Sequence, residues 1–418
     1  MTKAQIEKSL AAARDAAARL RAAPAGVKND ALSRLEGALL LRTPEILKAN
    51  AQDLKALPKS AAPAFRERLT LTAERIQQMA ASLASVRALT DPVGEEVSRA
   101  VLPSGLLLRR VRAPLGVIFL IYESRPNVAI EAFSIAFKAG NAMILRGGKE
   151  SRRTVAVLYE LIADSIKAAG LPAECAWGIT DQSRDLVKSL LARADAIDVV
   201  IPRGGAGLIA AVTKSSRIPV IKNDRGMCHI YVDEAADLHM AAKVAVNAKC
   251  SRPGVCNATE TVLVHKAVAP ELLPQLYDQM RARGVQIRGC PATLKILGKR
   301  QGLVAAKPKD WDTEHLDLIL NLRVVKSMTE ALAHIATHGS RHSEAIITAV
   351  EATARRFQTE VDAAAVYWNA STRFTDGFEF GLGGEVGIST QKLHARGPVG
   401  LRELTSCRWV ADGSGQTR

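Results

Sequence analysis

Aromatic side chains are scarce in this sequence, at 4% of 418 residues. A surface that stacks nucleobases needs such rings in number, so a base-reading role is disfavoured. No two of the six cysteines form a CxxC pair. That removes the usual zinc signature, and no metal is expected. Few, irregularly spaced cysteines in a long chain point to reduced thiols and a cytoplasmic setting. No apolar run is long enough for a bilayer; the longest, near Leu115–Tyr122, suits a buried strand. The opening Met1-Thr2-Lys3-Ala4-Gln5-Ile6 runs into a charged amphipathic segment, not an apolar signal core. Neither GxGxxG nor a P-loop occurs, so both standard nucleotide fingerprints are missing.

Negative charge is also in deficit: 57 Lys and Arg against 42 Asp and Glu leave a formal charge of +15. Such a balance attracts anions. The basic residues are spread over helix faces without long runs, which favours a solvated basic surface for most of them, with small phosphorylated ligands second and nucleic acid third. An anion- or nucleic-acid-binding module is the alternative of another class, and neither a nucleic-acid nor a membrane partner is expected.

What is present organises the chain as α/β. The length exceeds one compact core, so two lobes are expected. The first ninety residues read as helices: Ile6, Leu10, Ala13 and Ala17 share one face, and Ala11–Ala18 favours the helical state. Leu102 to Arg110 reads as strand, turn and strand. From Gly116, strands at Val117–Tyr122, Ala142–Leu145, Ala196–Ile201 and Pro219–Lys222 alternate with helices near Val128–Ala139, Thr154–Ala169, Ser183–Leu191 and Gly207–Lys214. This is the rhythm of a parallel sheet covered on both faces. A second set follows a change near Asp224-Arg225-Gly226: helix Leu238–Asn247, strand Thr259–His265, helix Glu271–Arg283, strand Leu318–Val325, helix Met328–His338, then strands Ala345–Val350 and Ala364–Trp368.

Four segments carry candidate chemistry. Cys256 lies between a helix and a strand, with Lys249 and Arg252 close in sequence. Positive charge favours a thiolate, which attacks carbonyl carbon. The plain alternative is a small buried hydrophobe, and Cys250 is the rival nucleophile. The strand Val117–Tyr122 ends at a polar corner where Asn127 opens a helix. Asn127 is either a helix cap or an amide donor to a developing oxyanion. Arg146-Gly147-Gly148-Lys149 follows a buried strand, and Arg203-Gly204-Gly205 repeats the theme before a helix. Glycines let backbone approach a ligand and the cations suit phosphate; otherwise these are solvated turns.

Several stretches together resemble the aldehyde dehydrogenase superfamily over nearly the whole chain: Tyr122-Glu123-Ser124-Arg125-Pro126-Asn127-Val128, Gly140-Asn141 through Gly147-Gly148-Lys149, Arg252-Pro253 through Cys256-Asn257, Glu314-His315-Leu316-Asp317-Leu318, and Gly381-Leu382-Gly383-Gly384-Glu385-Val386-Gly387-Ile388-Ser389-Thr390. The resemblance implies two parallel-sheet α/β lobes plus a small oligomerisation hairpin. The cofactor-binding domain would span 1–98 and 113–226, the hairpin and C-terminal segment 99–112 with 388–418, and the catalytic domain 227–387.

By the same resemblance Cys256 is the nucleophile and Asn127 an oxyanion donor. Arg146 approaches the cofactor ribose. Lys149 stands where NAD-preferring members carry a carboxylate, so a cation there implies NADPH. Glu314 holds the nicotinamide ribose; without the resemblance it reads as a surface acid. Arg125 and Arg252 are candidates for gripping the substrate. The superfamily's general-base glutamate has no counterpart in Val220–Gly226, where Asp224 is the nearest carboxylate. That absence agrees with a thioester that waits for hydride. The implied activity is NADPH-dependent reduction of the acyl phosphate L-glutamate 5-phosphate to its semialdehyde, a step toward proline. The protein would be a homo-oligomer, with the glutamate kinase that makes the substrate as a partner. The alternative on this scaffold is NAD-dependent oxidation of another aldehyde.

Overall fold

The computed structural model describes residues 1–123, 125–222 and 225–417, the side chains of Pro63 and Ala64 excepted. The chain divides into two units: Met1–Lys222 with Gly381–Gly387 and Gln391–Arg418, and Asn223–Phe380 with Ile388–Thr390.

The first unit opens with five helices, α1 (Lys3–Ala22), α2 (Ala25–Leu41), α3 (Thr43–Lys55), α4 (Pro63–Leu69) and α5 (Ala73–Ala88). Thr2 and Gln5 form a reciprocal capping box that starts α1. Its buried face is Leu10, Ala13, Ala16, Ala17 and Leu20. Strands β1 (Glu96–Val101) and β2 (Leu107–Pro114) pair antiparallel across a turn in which Gly105 has φ 83°. The terminal strand Thr405–Asp412 adds to the other edge of β2, giving a three-stranded antiparallel sheet.

The parallel core of this unit follows as β3 (Val117–Tyr122), α6 (Asn127–Lys138), β4 (Ala142–Arg146), α7 (Arg152–Ala168), β5 (Ala176–Ile179), α8 (Arg184–Leu191), β6 (Val199–Arg203) and α9 (Ala206–Ser215). The strand order is β5-β4-β3-β6. Alternate residues of β3 serve opposite faces. Ile118, Leu120 and Tyr122 pack with α2, α5, α6 and α7, while Val117, Phe119 and Ile121 pack with α1 and α8. Every residue of β3 is buried, as expected for a strand covered on both sides.

The second unit is built from β7 (Cys228–Val232), α10 (Leu238–Cys250), β8 (Thr259–His265), α11 (Ala269–Arg281), β9 (Gln286–Gly289), α12 (Pro291–Leu297), β10 (Leu303–Ala305), β11 (Ile319–Val325), α13 (Met328–His338), β12 (Ser343–Ile347), α14 (Glu351–Glu360) and β13 (Ala365–Trp368). Its seven strands run parallel in the order β10-β9-β11-β8-β7-β12-β13. One apolar layer joins α10 and α11 to one sheet face, and a second joins α13 and α14 to the other.

Several sequence-based strands are corrected. The first strand of the hairpin, read from Leu102, is Glu96–Val101, with 102–106 as the turn, and the strand read at Ala196–Ile201 is Val199–Arg203. Pro219–Lys222 makes only an isolated bridge, Val220 beside Val200; Pro219 has no N–H for a ladder. The strand expected at Ala345–Val350 runs from Ser343 to Ile347. It begins in polar residues because Glu344 lies opposite His229 of β7 and accepts its backbone N–H at 2.8 Å and its ring Nδ1 at 3.0 Å. No helix among the described residues is long and apolar enough to cross a membrane.

Candidate active site

Cys256 sits in the loop between α10 and β8, half-buried. Because β7 pairs with β8 in parallel, with Cys228 opposite Thr259 just before a shift of register, the segment leading into β7 runs against this loop. The approach is close enough to require glycine at 226. A Cβ there would stand 2.0 Å from the Cys256 carbonyl oxygen and 2.5 Å from its Cα. The Cys228 thiol donates to the same carbonyl at 3.2 Å.

Asn257, the residue after Cys256, is fixed from another direction. Thr372 Oγ1 donates to the Asn257 carbonyl at 2.7 Å, and Asn257 Nδ2 donates to the Thr375 carbonyl at 2.9 Å. Arg373 donates to the Asn257 side-chain oxygen and, through Nε, to Ser251 Oγ at 3.2 Å. The backbone around Cys256 is therefore pre-set by β7 on one side and by the turn after β13 on the other.

Lys249, close to Cys256 in sequence, is committed to a carboxylate partner. It is fully buried, and its Nζ donates to Glu260 Oε2 at 2.8 Å. Burial still pushes Glu260 up to about 7, against the opposing pull of Lys249. The other Glu260 oxygen accepts the Leu316 N–H at 3.1 Å. Glu314, two residues earlier, accepts the Gly226 N–H at 2.9 Å. Burial raises its pKa while that hydrogen bond opposes the rise. Cys256 and Glu314 are thus joined through Gly226. The rival Cys250 faces Met280 of α11 at 3.7 Å, and burial pushes its thiol up. Arg252 is exposed at the start of the same loop.

In the first unit, β4 and β6 flank β3, so Arg146-Gly147-Gly148 and Arg203-Gly204-Gly205 leave the sheet at one edge, where ligands of such folds collect. Tyr122 and Tyr159 share a buried hydrogen bond of 2.7 Å, and the Gly147 N–H donates to Tyr159 at 3.2 Å. A Cβ at Gly147 would meet the Tyr122 ring at 3.0 Å, so this glycine serves ring packing. Arg146 is half-buried and donates to the Gln182 carbonyl at 3.3 Å. Its buried Nε has no hydrogen-bond partner, and desolvation lowers its pKa. Lys149, three residues further on, is exposed, so the turn after β4 offers a guanidinium N–H without a protein partner and a solvent-facing cation, a donor set that suits an anionic group.

Two expectations change here. Asn127 is the first residue of α6, Pro126 takes the cap position, and no side-chain cap forms; Asn127 Nδ2 donates instead to Glu131 Oε1 at 2.9 Å. The Gly205 N–H is not presented to a diphosphate, because it donates to Glu123 Oε2 at 2.8 Å. A side chain at Gly204 would strike that carboxyl at 2.7 Å. Glu123 follows β3, and Tyr122 pairs with Arg203 of β6, so this acid lands at the α9 N-terminus, where negative charge is favourable. Arg203 lies 3.9 Å from Glu385, and Arg125 is half-buried. Ser124 and Asp224, named in the sequence reading, lie outside the described residues. Among the described residues no cluster of His, Cys, Asp and Glu is placed to hold a metal ion.

Sequence reasoning missed Glu123 and Arg373. Glu123 reaches Gly205 through the parallel pairing of β3 with β6, and Arg373 reaches Asn257 through the return of the chain after β13; no local pattern marks either.

The model of the aldehyde dehydrogenase family matches residues 1–288. A gamma-glutamyl phosphate reductase of Carboxydothermus hydrogenoformans is 49% identical over 407 residues, with 97% of each chain covered. One from Moorella thermoacetica is 50% identical with the same coverage. The crystal structure of gamma-glutamyl phosphate reductase from Thermotoga maritima superposes with a TM-score of 0.95 at 43% identity, covering 98% of this chain and 99% of that one. The chain therefore belongs to the aldehyde dehydrogenase family and, within it, to the group of the gamma-glutamyl phosphate reductases.

Proposed function

We propose that the chain reduces L-glutamate 5-phosphate to L-glutamate 5-semialdehyde and phosphate, as a step of proline biosynthesis in the cytoplasm, through a thioester on Cys256. The observation that carries this reading is the Cys256 loop itself. A half-buried thiol on a pre-set backbone stands beside a cationic side chain, Arg373, in a chain about half identical to reductases of that name.

The Cys256 sulfur, as thiolate, bonds to the acyl carbon, and the carbon–oxygen bond to phosphate breaks. Backbone amides near Cys256 and the amide of Asn127 steady the negative oxygen. NADPH, when bound, supplies the hydride. The thiohemiacetal then takes up a proton and releases the semialdehyde, restoring the thiol. Glu314 would accept from the nicotinamide ribose of the bound cofactor. Arg146 and Lys149 favour a ribose that carries a 2′-phosphate, which supports NADPH over NADH. The regions 1–98 and 113–226 act as the cofactor-binding domain, 227–387 as the catalytic domain, and 99–112 with 388–418 as the oligomerisation element. The kinase that makes the unstable acyl phosphate is the natural partner.

The test runs the reaction backward. Glutamate semialdehyde is oxidised with NADP and then NAD, with and without phosphate or arsenate. We expect strict dependence on the added anion, a preference for NADP, and no turnover by Cys256→Ala. Oxidation at full rate without either anion would instead identify an ordinary NAD-linked aldehyde oxidation.

A further inference from the structure

Arg373 belongs to none of the glycine-rich or cysteine-bearing segments, yet it spans the nucleophile loop from end to end. Its Nε reaches Ser251 at 3.2 Å and its Nη1 reaches Asn257. Its own carbonyl accepts from Asn257 Nδ2 at 3.3 Å. Two of its five N–H groups go to these side chains.

The guanidinium is half-buried, and it has a like-charged neighbour in Arg252, the residue after Ser251. Burial and Arg252 both lower the Arg373 pKa, while Asp376, Cys256 and Glu379 act against them. Lys249 adds no charge here, being spent on Glu260. Two arginines, one partly desolvated and bound to both ends of the loop, give the Cys256 loop a local excess of cationic donors that Asp376 and Glu379 offset only in part, a setting that favours an anion. A planar guanidinium offers parallel N–H donors that match phosphate oxygens.

We propose that Arg373, together with Arg252, forms the phosphate-receiving site beside Cys256, holding the phosphoryl group of the acyl phosphate as it leaves. This rests on the reductase reading above. In the reverse direction the same site holds inorganic phosphate. A phosphate oxygen bonds to the acyl carbon of the thioester, the carbon–sulfur bond breaks, and the sulfur leaves as thiolate, so no further reactant is needed.

The experiment measures semialdehyde oxidation with NADP at varied inorganic phosphate for the wild type, Arg373→Met, Arg373→Lys and Arg252→Met. The Met variants should raise the phosphate KM by at least about tenfold, the scale of one lost charge-assisted contact, with the NADP KM within about twofold of wild type. Arg373→Lys should recover part of the loss. Phosphate should protect Cys256 of the wild type from iodoacetamide, and protection should weaken in the Met variants. An unchanged phosphate KM in both Met variants overturns the proposal, as does a parallel rise in every KM. If Arg373→Met does not fold, the exposed Arg252 decides the matter alone. A wild type that oxidises the semialdehyde without phosphate refutes the reductase reading itself, a result distinct from variants that keep a normal phosphate KM.

Discussion

Gly226 is the residue at which the candidate site tolerates least change. Its missing Cβ would lie within 2.6 Å of three Cys256 backbone atoms, and backbone cannot swing aside as a side-chain tip can. Gly226→Ala should displace Cys256, and on the proposed thioester route a shift of about 1 Å at the reacting atom costs on the order of 100-fold in rate. A steady-state kcat near wild type, with an unchanged melting curve, would contradict this. Lys149 is open to a similar test on the cofactor side. Lys149→Asp should cut the NADP-over-NAD ratio of kcat/KM by roughly 10–100-fold, the equivalent of one charge-assisted hydrogen bond. The Cys256 segment stood out in the sequence because a cysteine, cations and a Pro-Gly turn fall within one short stretch. Arg373 did not: it is 116 positions from Asn257, and only the return of the chain after β13 brings them together. The same holds for Glu123 and Gly205, 82 positions apart.

Among the elements, long apolar strands and amphipathic helices could be read directly, and β7 could not. His229 interrupts its apolar pattern, and the partner that satisfies it, Glu344, is 115 positions away. The buried Lys249–Glu260 pair between α10 and β8 is a related case, with both side chains 1% exposed or less. Lys249→Met should destabilise the fold by about 3–5 kcal/mol at neutral pH by stranding a buried carboxylate, and Lys249→Met with Glu260→Gln together by less. Denaturant unfolding of the two variants measures the difference; equal losses would argue against a stranded charge.

Helix α13 carries a pH-sensitive group. His334 is buried, both ring nitrogens lack hydrogen-bond partners, and its pKa falls from 6.5 to about 2, first through desolvation and then through His229, His338 and Arg323. The folded-state value is the depressed one, so the unfolded chain binds the proton more readily. The contribution to stability is complete above about 6.5 and is lost as pH falls toward 2, at up to about 1.4 kcal/mol per pH unit. His334→Phe should flatten the acid side of the stability profile. A profile of unchanged slope between pH 6 and 4 would count against it.

At the scale of the molecule, the three-stranded antiparallel sheet stands out for what it leaves uncovered. Every residue of β1 is exposed, Val101 by 73%, and Trp409 of the terminal strand by 63%. Large apolar side chains on a thin sheet suit burial by a second copy. The protein should sediment as a multiple of its 44.8 kDa chain mass, and Val101→Lys with Trp409→Glu should shift it to the single-chain mass. A wild type already at that mass would rule this surface out.

The way the two units share one chain also orders their assembly on the ribosome. The second unit has all seven of its parallel strands once Trp368 has emerged. The first unit, begun at residue 1, still waits for Gly381–Gly387 and for the strand at Thr405–Asp412. The later-encoded unit can therefore form its sheet ahead of the unit that began first, with only its short segment Ile388–Thr390 still to come. Stalling translation a few dozen codons early should leave a protease-resistant core from residues 225–380 tethered to an incomplete, chaperone-dependent amino-terminal half.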